Sequence, residues 1–536
     1  MTRRQFIKTA AAVGTAPAVA AGAGSRSLDA GLTDRFELAE LTIRNLRRQL
    51  ANGARKSQSL VEKYLERIAG MDRAGPILRY VLETNPDALA DASAADRELK
   101  LGRSRGALHG IPILLKDNLD TAGKMTTTAG SLALEGSIPK ADAFVVSKLR
   151  SAGAILLGKA NLSEWANFRS THSSSGWSSR GGQAKNPYAL DRNPSGSSSG
   201  SAGAVAVSFC AAAVGTETDG SVVCPASCCG IVGVKPTVGL LSRSGIIPIS
   251  KTQDTAGPMA RTVEDAAILL GAMVGVDVQD PATRRSEGKF ETDYTRFLNR
   301  NALKGAKIGV ARSDSFAFAP PSDKVLSESI AVMKSAGAQI VDPIDFAILG
   351  KLDDAELTVM LYEFKTGINT YLAGLGGETR AWTLADLIAF NKANSDRTMP
   401  FFGQELFEKA QAKGSLRSPE YLAALEKCSG VKKAIDTAME KHHLDALVAI
   451  TAGPPLLTDQ VNGDYTSGNS STLAAVPGYP SISVPAGFSF GLPIGISFTG
   501  RAFSETTLIG LAYAFEHATG IRKPPRFLPT ADLSRP

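Results

Sequence analysis

The densest run of chemically capable side chains in this sequence is Ser195-Gly-Ser-Ser-Ser-Gly-Ser-Ala-Gly203, followed a short way on by Gly215-Thr-Glu-Thr-Asp-Gly-Ser221. Hydroxyls and bare backbone N–H groups at this density can supply a nucleophile and a cradle for developing negative charge. A flexible linker has a similar composition. However, the apolar stretch Ala202–Val214 comes directly after, and linkers seldom sit between two buried elements. A nucleophilic serine needs a base. The chain has only 5 histidines, and the late ones, His442, His443 and His517, belong to no hydrolase motif. Gly196-Ser-Ser198-Ser-Gly200 fits the nucleophile-elbow pattern, but residues 186–194 before it are turn-like where that motif demands a strand. The remaining base is a lysine held neutral by burial. Lys116 closes the apolar run Gly110-Ile-Pro-Ile-Leu-Leu115, where a charge is poorly placed unless it is used. A surface lysine at a strand end is the plainer alternative.

Other chemistries find less support. Gly153 to Gly158-Lys159-Ala160 approaches the phosphate-binding loop, but Ala160 stands where a Ser or Thr would hold Mg²⁺. The segment reads as a strand and a loop. No Gly-x-Gly-x-x-Gly follows a strand, so dinucleotide binding has no signal. The cysteines at 210, 224, 228, 229 and 428 are odd in number, and Cys228-Cys229 lie among small apolar residues. They read as buried free thiols, and neither they nor His442-His443 have zinc spacing. No metal and no cofactor are expected.

The elements that must position these residues follow from periodicity. Leu38, Leu41, Ile43, Leu46 and Leu50 predict a helix stopped by Asn52-Gly53, and Ser59-x-x-Glu62 offers a capping box for a second helix to Ala69. Short apolar strands then alternate with helices. Strands are predicted at Ile111–Leu115, Ile155–Leu157, Lys307–Ala311, Gln339–Val341, Ala446–Ile450, Ser481–Val484 and Ile494–Phe498. Helices are predicted at Ala143–Ser151, from Thr262 through Met273, and at Ser322–Ser335. Ala202–Val214 reads as a buried helix or strand. This alternation predicts an α/β fold with a mixed central sheet covered by helices on both faces. Residues 350–440 are helical in pattern and look like an insertion. No fixed-period repeat or low-complexity linker divides the chain, so one large domain is expected over 30–530.

The N-terminus carries Arg3-Arg4, Phe6 and Lys8, and then no charge from Thr9 to Ala23. With small-residue cleavage options around Ala18-Val19-Ala20, residues 1–24 resemble a twin-arginine export signal, whose cargo folds before translocation. Export to the periplasm or the medium is expected. The apolar stretch is too short to span a bilayer, so no stable membrane insertion is expected. The net charge of +7 and pI near 9.0 come from scattered Lys and Arg with no basic stripe, so no nucleic-acid partner is expected.

Three separated motifs carry a family resemblance. Gly110-Ile-Pro-Ile-Leu-Leu-Lys116-Asp117 resembles the lysine motif of the amidase signature family. The stretch 196–236, ending Gly230-Ile-Val-Gly-Val-Lys-Pro236, resembles its Gly/Ser-rich signature, and Ala475–Pro485 with Gly491–Gly495 resembles its C-terminal block. The likeness runs from about Leu38 to Pro525. Within the family the branch of bacterial peptide amidases is nearest, through Ala160–Arg169, Arg180–Gln183, Gly215–Pro225 and Leu361–Lys365. The resemblance implies a single large amidase-signature domain and a Ser–cis-Ser–Lys triad. In that triad Ser221 is the nucleophile, Ser197 is the bridging serine joined to Gly196 by a cis peptide, and Lys116 is the general base. It further implies Ser198 as a supporting hydrogen-bonding serine and the backbone N–H groups of Thr218, Asp219, Gly220 and Ser221 as the oxyanion hole. Most members read Gly-Thr-Asp-x-Gly-Gly-Ser-Ile-Arg; here Glu217, Asp219 and Val223 replace Asp, Gly and Arg. The side chain of Asp219 therefore stands beside the oxyanion hole, and its direction matters. The implied activity is hydrolysis of an amide through an acyl-enzyme with release of ammonia. The substrate is a small-molecule or peptide amide, with C-terminal peptide amides first. A broad aliphatic or aryl amidase and the glutaminase component of a tRNA-dependent amidotransferase are the alternatives. The export signal argues against the last, since charged tRNA is cytosolic. For the pocket walls, the 350–440 helices and the loop Thr451-Ala-Gly-Pro-Pro455 are the candidates.

Overall fold

Buried, mostly apolar runs form the centre of the sheet that carries the site, with more exposed strands at its edges. The computed structural model describes residues 36–534 apart from 317, 319, 353, 376–382, 466 and 467, so the segment read as an export signal lies outside the described residues. The strands are β1 Val81–Thr84, β2 Pro112–Lys116, β3 Ile155–Ala160, β4 Trp177–Ser178, β5 Gly182–Gln183, β6 Ala212–Glu217, β7 Val232–Lys235, β8 Thr255–Ala260, β9 Lys307–Arg312, β10 Gln339–Asp345, β11 Ala446–Ile450, β12 Ser481–Ser489 and β13 Leu492–Thr499. Eleven of them form one sheet in the order β1-β3-β2-β6-β8-β7-β12-β13-β11-β9-β10, while β4 and β5 form a separate ribbon. Pairing is parallel for β2 with β3 and β6, and for β9 with β10 and β11. It is antiparallel through β6, β8, β7, β12, β13 and β11. The fold is thus a large mixed α/β domain, as the strand–helix alternation predicts.

The central strands β2, β6, β8 and β13 are buried at every residue, which is why they read as continuous apolar runs and not as alternating ones. Several boundaries differ from the sequence reading. Ala202–Val214 holds both predicted states in turn, a helix at Ser199–Ala206 and then β6. The first helix spans Ile43–Ala51 and starts later than its apolar pattern, because Thr42 accepts the Asn45 N–H and caps it there. The second helix begins at Ser57, ahead of the expected cap; Ser59 bonds back to Lys56 from inside the first turn. Thr262 caps the helix Val263–Met273 as expected, accepting from the Asp265 N–H.

Residues 350–440 form the helices Ala355–Leu375, Leu384–Ala393, Ser395–Thr398, Glu405–Gln411 and Pro419–His442. Phe364 and Phe407 stack at 5.2 Å between ring centroids, and Trp165 meets Phe407 edge-on at 5.7 Å. Together with Ile247 and Ile249 they make one apolar cluster. That cluster fixes the inserted helices against the loop after β3 and the segment before β8. All five cysteines are buried and free.

Candidate active site

Parallel pairing sets Leu115 of β2 beside Val214 of β6. The next residue, Lys116, therefore faces the C-terminal end of β6. Lys116 is fully buried. Its Nζ lies 2.8 Å from Ser197 Oγ, 3.1 Å from the Thr216 carbonyl and 2.9 Å from Thr216 Oγ1. Asn118 Nδ2 also donates to Thr216 Oγ1, at 2.9 Å. Burial brings the Lys116 ammonium down from its ordinary 10.5 to about 7, partly opposed by the carboxylates of Glu217 and Asp254. Two other lysines, Lys159 and Lys235, are equally buried. Lys159 donates to the Leu119 carbonyl and Thr127 and lies 3.9 Å from Asp117; Lys235 donates to the Tyr479 carbonyl. Among these three, only Lys116 bonds to a serine.

Ser197 follows a cis peptide bond from Gly196. A Cβ at position 196 would lie 2.2 Å from Ser163 Oγ, so only glycine fits there. Ser198 opens the helix Ser199–Ala206. Its Oγ is bonded to both the carbonyl and the N–H of Thr216, and its N–H donates to the Ser221 carbonyl at 3.1 Å. Ser198 thus links the serine loop to the turn that carries Ser221.

That turn runs from the end of β6 into the short helix Val223–Cys228. Glu217 Oε2 accepts the N–H groups of Val222 and Val223 at 2.7 and 2.9 Å, closing the turn from inside. Its carboxyl is pushed up by burial and held down mainly by Lys235 and these two N–H bonds. Gly220 sits at φ +76°, and a Cβ there would come within 2.8 Å of Cys224 Sγ and Ser471 Oγ. Thr218 Oγ1 donates to Asp254 Oδ1 at 2.6 Å. None of the backbone N–H groups of residues 218–221 donates to a protein acceptor among the described residues. Four unengaged N–H groups in one turn are the kind of donor set that an anion could occupy. The Asp219 carboxylate turns away toward Thr472, whose Oγ1 donates to its Oδ2 at 2.7 Å.

The sequence reading missed Glu217 as the clamp of this turn, although the residue was visible as a departure from the common pattern. It also missed Thr216, which receives Lys116 through both its carbonyl and its hydroxyl. A cavity of about 390 Å³ adjoins Thr216, Thr218 and Asn118. Ile247, Pro248 and Ile249 line it on one side, and Glu363, Thr370 and Tyr371 from the inserted helices on another. The inserted helices therefore do form a wall. The loop Thr451–Pro455 does not line this cavity: Ala452 packs with Val223, Cys224 and Cys228 behind the turn. His442, His443 and His517 take no part in the site. No cluster of metal-ligating residues occurs among the described residues.

The amidase family profile matches residues 59–509, and the profile of the twin-arginine translocation pathway signal sequence matches residues 1–20, which points to export. No helix among the described residues is long and apolar enough to cross a membrane. The native peptide amidase of Stenotrophomonas maltophilia is 48% identical and superposes with a TM-score of 0.88 over 92% of this chain and 99% of its own. A probable amidase of Arabidopsis thaliana is 44% identical over 506 residues, 93% of each chain. A glutamyl-tRNA(Gln) amidotransferase subunit from Microcystis aeruginosa is 34% identical, over 90% of this chain and 98% of its own. A profile that spans most of the chain, and relatives aligned along nearly their whole length, place this protein in the amidase signature family of amide-hydrolysing enzymes.

Proposed function

We propose that this enzyme hydrolyses the C-terminal amides of peptides to the free acid and ammonia through an acyl-enzyme on Ser221. The observation that carries this reading is the buried contact of Lys116 Nζ with Ser197 Oγ at 2.8 Å. A neutral amine has two N–H donors and one lone pair. Thr216 offers two acceptors to Nζ, its carbonyl and its hydroxyl oxygen, and Asn118 donates to that same hydroxyl oxygen. With both N–H bonds engaged there, the lone pair faces Ser197. Ser197 passes its proton to Lys116 and takes the proton of Ser221, whose Oγ attacks the amide carbon. The tetrahedral oxyanion forms against the N–H groups of residues 218–221, at about 3 kcal/mol for each well-placed donor. Lys116 returns the proton through Ser197 to the departing nitrogen, which leaves as ammonia. Water then attacks the ester, deprotonated by the same relay, and the acid is released. Ser198 supports the relay by bonding Thr216 and the Ser221 backbone.

The likeness to a peptide amidase along nearly the whole chain supports peptide amides as the substrate class. The mainly apolar cavity beside Thr216 suits the side chain of a C-terminal residue. The enzyme would be exported under residues 1–24 and act, as a domain over 30–530, in the periplasm or outside the cell. The likeness to an amidotransferase component supports a second reading, glutamine hydrolysis. Ammonia release from an N-acetyl dipeptide amide, free glutamine and benzamide separates these readings. We expect kcat/KM for the peptide amide to exceed the other two by about 10²-fold, the discrimination that a few pocket contacts supply. A preference for glutamine would overturn the peptide-amide reading, and a preference for benzamide would favour an aryl amidase.

A further inference from the structure

Asp219 departs from the glycine that most family members carry, and it stands two residues before Ser221. Its Oδ2 accepts from Thr472. Its Oδ1 is buried, and no N–H or hydroxyl among the described residues reaches it. What faces Asp219 is another acid, the carboxyl of Glu356 in the first turn of the inserted helix Ala355–Leu375. The other side of Glu356 is held by the neutral amide of Gln253, whose Nε2 donates to Oε1 at 2.8 Å and to the Thr218 carbonyl at 3.5 Å. Two carboxylates cannot share such a place unless one carries a proton.

We propose that Glu356 is a positioning residue of the active site: it keeps a proton, donates it to the Asp219 carboxylate, and so ties the oxyanion turn to the inserted helices. This rests on the reading of residues 218–221 given above. The surroundings favour one proton in the pair. Burial and the Asp219 charge both raise the Glu356 carboxyl well above the carboxylate range. The other titratable groups that feel the pair are Glu217 on β6, Lys235 on β7, Cys224 on the helix after Ser221 and Cys428 on the helix Pro419–His442. Of these only Lys235 is a cation, and its Nζ is spent on the Tyr479 carbonyl. Among the described residues neither acid has a lysine or arginine partner, so a proton is what holds them together. Removing it places two negative charges across the contact and drives the turn and the helix apart.

The linkage has a definite sign. The folded protein holds a proton that a free carboxyl would release near its ordinary 4.5. The pair therefore lowers stability progressively as pH rises above about 5. Glu356→Gln replaces the titrating O–H by an amide N–H that still donates to Asp219. Its melting temperature should thus rise relative to wild type as pH increases from 5 to 9. Its kcat on the peptide amide should stay within about threefold of wild type at pH 7.5, and it should lack the alkaline fall in kcat that the proposal predicts for wild type. Glu356→Ala leaves Asp219 unanswered and should lose about 10- to 100-fold in kcat, with little change in KM, as expected for one missing charged hydrogen bond. Parallel melting-temperature profiles for wild type and Glu356→Gln would overturn the proposal, and they are readable even if Glu356→Ala does not fold. Equal kcat and equal pH profiles for all three enzymes would also overturn it. The melting profiles do not depend on which serine is the nucleophile, so failure of the catalytic reading would show separately, in the Ser221 variant.

Discussion

Ser221→Ala is expected to reduce kcat on a peptide amide by about 10⁴- to 10⁶-fold, with a melting temperature close to that of wild type. The scale is that of removing the nucleophile of a serine hydrolase, where positioning and the oxyanion cradle leave a small residual rate. Stability should hold because, among the described residues, no hydrogen bond of the Ser221 side chain supports the fold: Ser221 is tied in through its carbonyl, which accepts from Ser198. KM should change little, since the anion cradle and the adjoining cavity stay in place. The check is ammonia release under single-turnover conditions together with a thermal melt. Ser197→Ala would differ in kind: it would leave Lys116 without its serine partner and remove the middle step of the proposed relay from Ser221 to the base.

Lys116→Met is expected to cost about 10³-fold or more in kcat/KM at pH 8, the upper part of the range for a lost general base. Methionine matches the length of the lysine stem but has no basic nitrogen. The pH dependence makes the assignment specific. With Lys116 titrating at about 7, wild-type kcat/KM should fall about tenfold for each pH unit below that value. The residual activity of Lys116→Met should lack this limb. Stability carries an independent signature with the opposite direction to that of Glu356. The depressed lysine value means that the unfolded chain binds more protons between about 7 and 10.5. Wild-type stability therefore rises with pH across that window, and below it the cost of burying the amine is full. Lys116→Met has no such cost, so it should be more stable than wild type at pH 7, and the difference should shrink toward pH 10. An acid limb unchanged in Lys116→Met would assign the titration to another group. Asp254, which burial raises to about 6 while it accepts from Thr218, is the group to examine next.

The parts of the site that sequence displayed are those whose residue type is costly anywhere else. A lysine ending an apolar run, as Lys116 ends Gly110–Leu115, is out of place unless the fold uses it. The serine and glycine density at 195–203 is likewise unusual beside a buried stretch. Local pattern could not decide Ala202–Val214, because a continuous apolar run has no period to separate helix from strand. The chain uses it as both, and the start of β6 at Ala212 depends on pairing with β2 and β8 far away in sequence. Glu217 and Glu356 were hidden for a related reason. Each is an ordinary acid in its own segment, one before a turn and one in the first turn of a helix. The role of Glu217 arises only when the turn after β6 brings the Val222 and Val223 N–H groups back to its carboxylate, and that of Glu356 only when tertiary packing sets it against Asp219. The direction of the Asp219 side chain was open for the same cause. Thr472, which holds it, is more than two hundred residues away. The loop Thr451–Pro455, a candidate pocket wall from sequence, does not line the cavity beside Thr216; its Ala452 packs with Val223, Cys224 and Cys228, contacts that only the tertiary fold creates.

The central claim is that the deep Lys116–Ser197 contact activates Ser221 and no other hydroxyl of this serine-rich site. A small alkyl fluorophosphonate tests it most directly, because an activated serine oxygen displaces fluoride and keeps the phosphonyl group. After limited labelling, peptide mapping by mass spectrometry identifies the modified side chain. The account predicts a single adduct on Ser221, formed in step with the loss of amidase activity and slowed by orders of magnitude in Lys116→Met. An adduct on Ser197, Ser198 or any other residue, with Ser221 unmodified while activity is lost, would contradict it.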